Sequence, residues 1–238
     1  MPSVDSFLAS KPVPERQFFF SDSSTQKICL LVILIGIALR IAYFMLGRGL
    51  WMDEAALALS IREYGFVELA TRPLLHMQNA PLGFMLLAKA ASIPAGLNEY
   101  GLRLLSLVTD CCLLVLTCAF SRRVFDNLTT LAATVTVSFF FLFVYYAQEF
   151  KPYSAEATAS MLPLYLYFSG RGRVVLFFTG LAAMPFSSPV VFLLFGPGIG
   201  MFYRGAPLAG WYTAVIRLLP VGFGWLLFFR SCSLSCLK

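Results

Sequence analysis

The chain has 238 residues, 59% of them hydrophobic and 13% charged, with a mean hydropathy of +0.78. Soluble domains carry about a quarter charged residues, so this composition excludes an ordinary soluble domain and points to an integral membrane protein. The formal charge of +6 does not make a nucleic-acid binder, because the basic residues are scattered between apolar runs, where they act as topology determinants.

Residues 1–27, "MPSVDSFLASKPVPERQFFFSDSSTQK", are polar and broken by prolines. They read as a cytosolic tail ahead of an uncleaved first helix, not as a signal peptide. Ile28 to Leu46 is a spanning helix whose only charge is Arg40. The first outer loop, 47–79, mixes apolar and charged residues and is predicted to hold an amphipathic helix on the membrane surface. Ala80 to Ala95 is apolar but short, and it carries Pro81, Gly83, Lys89 and Pro94. Spanning segments are then predicted at Leu104 to Phe120, Leu128 to Ala147 and Tyr153 to Phe168. Val174 to Tyr203, interrupted by Pro185 and Pro189, suits a helical hairpin or one kinked helix. Residues 204–238 hold a last weak helix, Ala214 to Phe229 with Arg217, and an atypical C-terminus. The expected fold is an all-α integral membrane bundle of about 5–7 transmembrane helices, with an interfacial helix in the first outer loop.

Cys29, Cys111, Cys112 and Cys118 lie in apolar segments, where a thiol is a small packing residue. Cys232 and Cys236 have no second pair to support a metal site. His76 is the lone histidine, which excludes a multi-histidine metal centre within the chain.

Basic clusters favour the cytoplasmic side, which places Lys27, the Arg122–Arg123 pair and the Arg171 and Arg173 pair inside. Asp53 and Glu54 are then outside, and an odd number of crossings must precede Arg122. The Ala80–Ala95 segment is therefore expected to be interfacial or re-entrant, with Leu104 to Phe120 as the return crossing. The next crossing brings "QEFKPYSAE" to the same face as "WMDEA". That parity puts Asn127-Leu128-Thr129 inside, which discounts it as a glycosylation acceptor. Arg40 is six residues before Leu46, and Asp110 is seven residues after Arg103. Both lie roughly 9–11 Å below the outer boundary, and an unpaired charge at that depth is costly. Arg40 and Asp110 are predicted to be neighbours or to line one cavity.

Asp53 and Glu54 are adjacent, so on a helix they point about 100° apart and cannot share one role. One can face a reacting hydroxyl as general base while the other holds a metal, a backbone amide or a cation. The structural alternative is a helix N-terminus with Asp53 as N-cap and Glu54 in the first turn, and both readings can hold together. "HMQNAPLGF", with His76, Gln78 and Asn79 before Pro81, could bind a phosphate at a helix start or be an ordinary capped loop. In "YYAQEFKPYSAE", Glu149, Lys151 and Tyr153 could bind a sugar phosphate, or serve as an aromatic belt with anchoring charges.

"WMDEAALALSIRE", "HMQNAPLGFMLLAKA", "EYGLRLLSL" followed by "SRRVF", and "YAQEFKPYSAE" occur in this order between Trp51 and Glu156, within a likeness that covers about Ile28 to Tyr203. In that order they resemble the multi-spanning glycosyltransferases that use lipid-phosphate sugars, the family of the dolichyl-phosphate-mannose protein mannosyltransferases and the lipid A aminoarabinose transferases. The resemblance implies inverting transfer of a sugar from a polyprenyl-phosphate donor to an acceptor hydroxyl at the outer face. It makes Asp53 the general base and Glu54 its supporting acid. Arg40 and Arg103 would neutralise the donor phosphate, and His76, Gln78, Glu149, Lys151 and Tyr153 would contribute to donor or substrate binding. The acceptor would be a glycan, lipid or protein, with no nucleic acid involved. No cofactor is implied, although the acidic pair leaves room for a divalent cation. The expected location is a multi-pass position in the membrane, the plasma (inner) membrane in a bacterium, with the active face outside the cytoplasm. Members are usually longer, with further helices, so the chain is expected to match their N-terminal part, and its activity alone is left open. Asp110 has no role in that pattern. The competing reading is a non-catalytic membrane protein, a transporter fragment or an inactive scaffold, favoured by the intramembrane Arg40, Asp110 and Arg217 but not by any internal repeat.

Overall fold

The computed structural model of the chain describes residues 23–171, 173–187 and 190. The described residues are helical and contain no strand. The elements are α1 (Ser23–Met45), α2 (Met52–Glu63), α3 (Phe66–Thr71), a 3₁₀ turn (Leu75–Met77), α4 (Leu82–Ala95), α5 (Glu99–Val124), α6 (Asn127–Phe139), α7 (Phe141–Tyr146), α8 (Tyr153–Phe168) and α9 (Arg173–Ala183). The expected tail at 1–22, the region beyond Val190, Arg217 and the Cys232 and Cys236 pair lie outside the described residues.

Among the described residues two helices are long and apolar enough to cross a bilayer: α1 from Ser24, with mean hydropathy 2.6, and α5, with mean hydropathy 2.0. On α1, Leu30, Leu31 and Leu34 are 55–57% exposed. A row of large aliphatic side chains facing outward suits hydrocarbon rather than water. α4 has 14 residues, about 21 Å at 1.5 Å per residue, which is short of a hydrocarbon core of about 30 Å. It stays among the elements of the first loop: Lys89 Nζ donates to the carbonyls of Ile61, at 2.8 Å, and Tyr64, at 2.6 Å, and Phe84 stacks on Phe150 at 5.5 Å.

α5 is the central element, packed against α1, α4, α6 and α8. It starts at Glu99 because the Asn98 side chain caps it, accepting from the Gly101 N–H at 2.8 Å. Its buried stripe runs Arg103, Ser106, Leu107, Asp110, Leu113, Leu114 and Thr117, at the three-and-four spacing of one helix face. Two polar ends result. Tyr100 meets Phe44 at 5.5 Å at one end, where the first loop lies, and Phe120 meets Phe168 at 5.6 Å at the other. At that second end the Thr129 hydroxyl donates to Asp126, ahead of α6, and holds its carboxyl below the usual carboxylate range.

The segment expected to be one span, Leu128 to Ala147, is broken. Phe140 has φ −63 and ψ 126, an extended conformation that stops α6 before α7 begins. The first loop also departs from expectation, since its amphipathic stretch forms two helices separated at Gly65.

Candidate functional site

Trp51 is extended and α2 begins at Met52, so Asp53 and Glu54 fall in the first helical turn. Glu54 shares a stripe with Leu57, Ser60 and Ile61 and is therefore carried inward; it is fully buried. A buried carboxylate must be satisfied on every side. One Glu54 oxygen accepts from the Trp51 N–H at 2.9 Å and from an Arg103 terminal nitrogen at 2.7 Å. The other accepts from Arg103 Nε at 3.2 Å and from the Phe150 N–H. The other donors of Arg103 go to the carbonyls of Arg48 and of Gly49, the latter at 3.1 Å. One ion pair thus ties the loop after α1, the start of α2, α5 and the 147–152 turn into a single unit.

Asp53, one residue away, points out and its side chain is 67% exposed. Lys151 Nζ lies 3.2 Å from its Oδ2. The two polar loops predicted to share a face therefore meet directly, across 98 positions of sequence. Of the structural roles open to the acidic pair, Glu54 takes the cation and the backbone amides, Asp53 is the accessible acid, and the N-cap position expected for Asp53 is held by Trp51.

Tyr153, two residues after Lys151, is 48% exposed and packs edge-on against Tyr146 at 4.8 Å. Glu149 is buried, and its carboxylate meets the phenol of Tyr145. The guanidinium of Arg48 lies over the Tyr145 ring at 5.2 Å.

Arg40 lies elsewhere. It is fully buried, and its Nε pairs with Asp110 at 2.5 Å, as their matched depths predicted. Its terminal nitrogens donate to the carbonyls of Gly36 at 3.1 Å, Ser138 at 3.0 Å and Val137 at 2.8 Å. With Arg40 and Arg103 both engaged inside the bundle, neither presents a free guanidinium to a donor phosphate. The phosphate role expected of them therefore has no geometric support in this conformation.

His76 and Gln78 belong to a turn that is anchored further along α2, at Ser60. His76 is exposed on the 3₁₀ turn, which is fixed to α2 through Leu75 N–H and Ser60 Oγ at 3.1 Å. Ser60 is seven residues beyond Asp53, about 10 Å along the helix. His76 and Met77 both have positive φ, 56 and 55, an unusual conformation for side-chain-bearing residues.

Sequence reasoning missed the Phe150 amide and the Ser106 and Ser154 hydroxyls. Ser106 donates to the Lys151 carbonyl at 3.2 Å, and Ser154 donates to Asp110 at 3.1 Å. Ser106 could have been found from its place on the Arg103–Asp110 stripe; a backbone amide leaves no residue-type signal.

Among the described residues no group of three or more His, Cys, Asp or Glu side chains is placed to hold a metal. Glu54 is taken up by Arg103, which leaves Asp53, with Lys151 beside it, as the accessible carboxylate of the pair. Comparison with protein-family models, with curated proteins and with solved structures found no match to this chain.

Proposed function

We propose that the chain is a membrane glycosyltransferase, or the part of one that carries the acceptor acid, and that it transfers a sugar from a polyprenyl-phosphate donor to an acceptor hydroxyl. The observation that carries this reading is the 3.2 Å approach of Lys151 to Asp53. It joins an accessible carboxylate and an ammonium at one end of an apolar bundle. A base and a cation are the two groups such a displacement needs.

In this scheme Asp53 takes the proton of the acceptor hydroxyl as its oxygen attacks the anomeric carbon. The carbon–oxygen bond to the phosphate breaks, and the phosphate leaves with the electron pair, giving inversion. Lys151 stabilises the departing charge, and Tyr153 offers an aromatic face to the sugar. Glu54 and Arg103 hold the frame. In the membrane, α1, α5, α6 with α7, and α8 serve as crossings of a multi-pass protein. Asp53 then faces outward from the cytoplasm, across the plasma membrane, which in a bacterium is the inner membrane.

The internal pairing of Arg40 and Arg103 favours one alternative, a scaffold that keeps the framework without the reaction. Incubating purified protein with radiolabelled polyprenyl-phosphate sugar and a panel of acceptors separates the two. Turnover by the wild type, lost in Asp53→Asn, supports the transferase. No turnover in either, with donor binding also absent, refutes it.

A further inference from the structure

The segment bearing Glu149, Phe150 and Lys151 is secured at both ends by one buried ion pair. At its start, the break at Phe140 removes the following turn of helix that would bond the carbonyls of Val137 and Ser138. Carbonyls freed within an apolar bundle need a partner. Arg40 supplies it, donating to Val137 O at 2.8 Å and Ser138 O at 3.0 Å. At the end of the segment, in the first turn of α8, the Ser154 hydroxyl donates to Asp110 Oδ1 at 3.1 Å, while Asp110 Oδ2 receives Arg40 Nε. The same two side chains hold residues 137–138 and 154.

We infer that the Arg40–Asp110 pair is a positioning clasp, which sets the 147–152 turn and through it the placement of Lys151 against Asp53. A buried ion pair is poor evidence for stability as such, because desolvation offsets much of its attraction. Its better-attested use is to fix one arrangement over others. Here the arrangement fixed is the bend. Without the guanidinium, α6 and α7 gain by closing into one helix, which would rotate and withdraw the turn after Tyr146. The middle of the segment depends on the ends. Phe150 N–H must reach Glu54, and the Lys151 carbonyl must reach Ser106. The inference does not depend on sugar transfer and holds for any role of the Asp53–Lys151 pair.

The test reads Lys151 directly. The 238-residue chain in lipid nanodiscs is treated with an amine-acylating reagent, and the labelling rate of each lysine is followed by peptide mass mapping. Lys151, 16% exposed and paired with Asp53, should react slowly. Asp110→Asn and the milder Ser154→Ala should each raise its rate several-fold, with Asp110→Glu recovering toward wild type. Leu176→Ala opens a cavity in α9, which packs against α8. It serves as the control for general loosening and should leave the Lys151 rate unchanged. If Asp110→Asn does not fold, Ser154→Ala decides alone. Lys151 rates in the Asp110 and Ser154 variants equal to that of the Leu176→Ala control would overturn the clasp.

Discussion

Replacing Glu54 with glutamine separates framework from chemistry. Each carboxylate oxygen of Glu54 accepts two donors: Trp51 N–H and an Arg103 terminal nitrogen on one, Phe150 N–H and Arg103 Nε on the other. A carboxamide offers one oxygen and one NH₂, so in either orientation the NH₂ confronts two donors and two bonds are lost. Arg103, 4% exposed, is also left as a buried charge without its counter-ion. Breaking a buried pair in this way costs about 3–5 kcal/mol. For a chain of this size each kcal/mol moves the unfolding midpoint by about 2–4 °C, so the expected drop is roughly 6–20 °C. Asp53→Asn removes a single contact of a carboxylate that is 67% exposed and should cost only about 0–1 kcal/mol. Thermal unfolding of both variants in the same detergent, followed by tryptophan fluorescence, compares them. The reasoning is refuted if the two midpoints fall by the same amount, or if Glu54→Gln is no less stable than wild type.

Gly36→Ala should weaken the packing of α1 on α5 and α6, because an added Cβ would sit 3.0 Å from Leu114 Cδ2 and from both Cβ and Oγ of Ser138. Overpacking of this kind costs about 1–3 kcal/mol, read as a lowered unfolding midpoint. Asn98→Ala removes the cap on the Gly101 N–H and should cost about 1 kcal/mol, with Asn98→Asp recovering most of it. Lys89→Met leaves the carbonyls at the end of α2 without their charged donor. Hydrogen exchange at Tyr64 and Gly65 should rise in that variant while exchange in α5 stays constant.

The helical, apolar character of the chain was legible in composition, and the meeting of Asp53 with Lys151 in the parity of its charges. The neighbouring of Arg40 and Asp110 followed from depth alone, since two charges at one level of an apolar bundle have few places to go. What was not legible is where backbone groups go. Leu128 to Ala147 reads as one apolar run because hydropathy does not register a single extended residue such as Phe140. The carbonyls that this break frees are what draw Arg40 inward. The phosphate role expected of Arg103 came from the resemblance alone, and the stripe that carries Glu54 inside with Leu57 and Ile61 gives that guanidinium an internal partner instead. Helix bounds shifted likewise, α1 starting at Ser23 because polar residues extend a helix that an apolar run only begins to mark.

Sugar transfer by this pair requires Asp53 and Lys151 on the same side of the membrane at contact distance. Asp53→Cys and Lys151→Cys, placed singly and together on a background with the native cysteines replaced, can be probed with a membrane-impermeant maleimide in right-side-out vesicles. Both positions should label without permeabilisation, and the double variant should form a disulfide under mild oxidation. Labelling of one position only after the vesicles are opened would contradict the account.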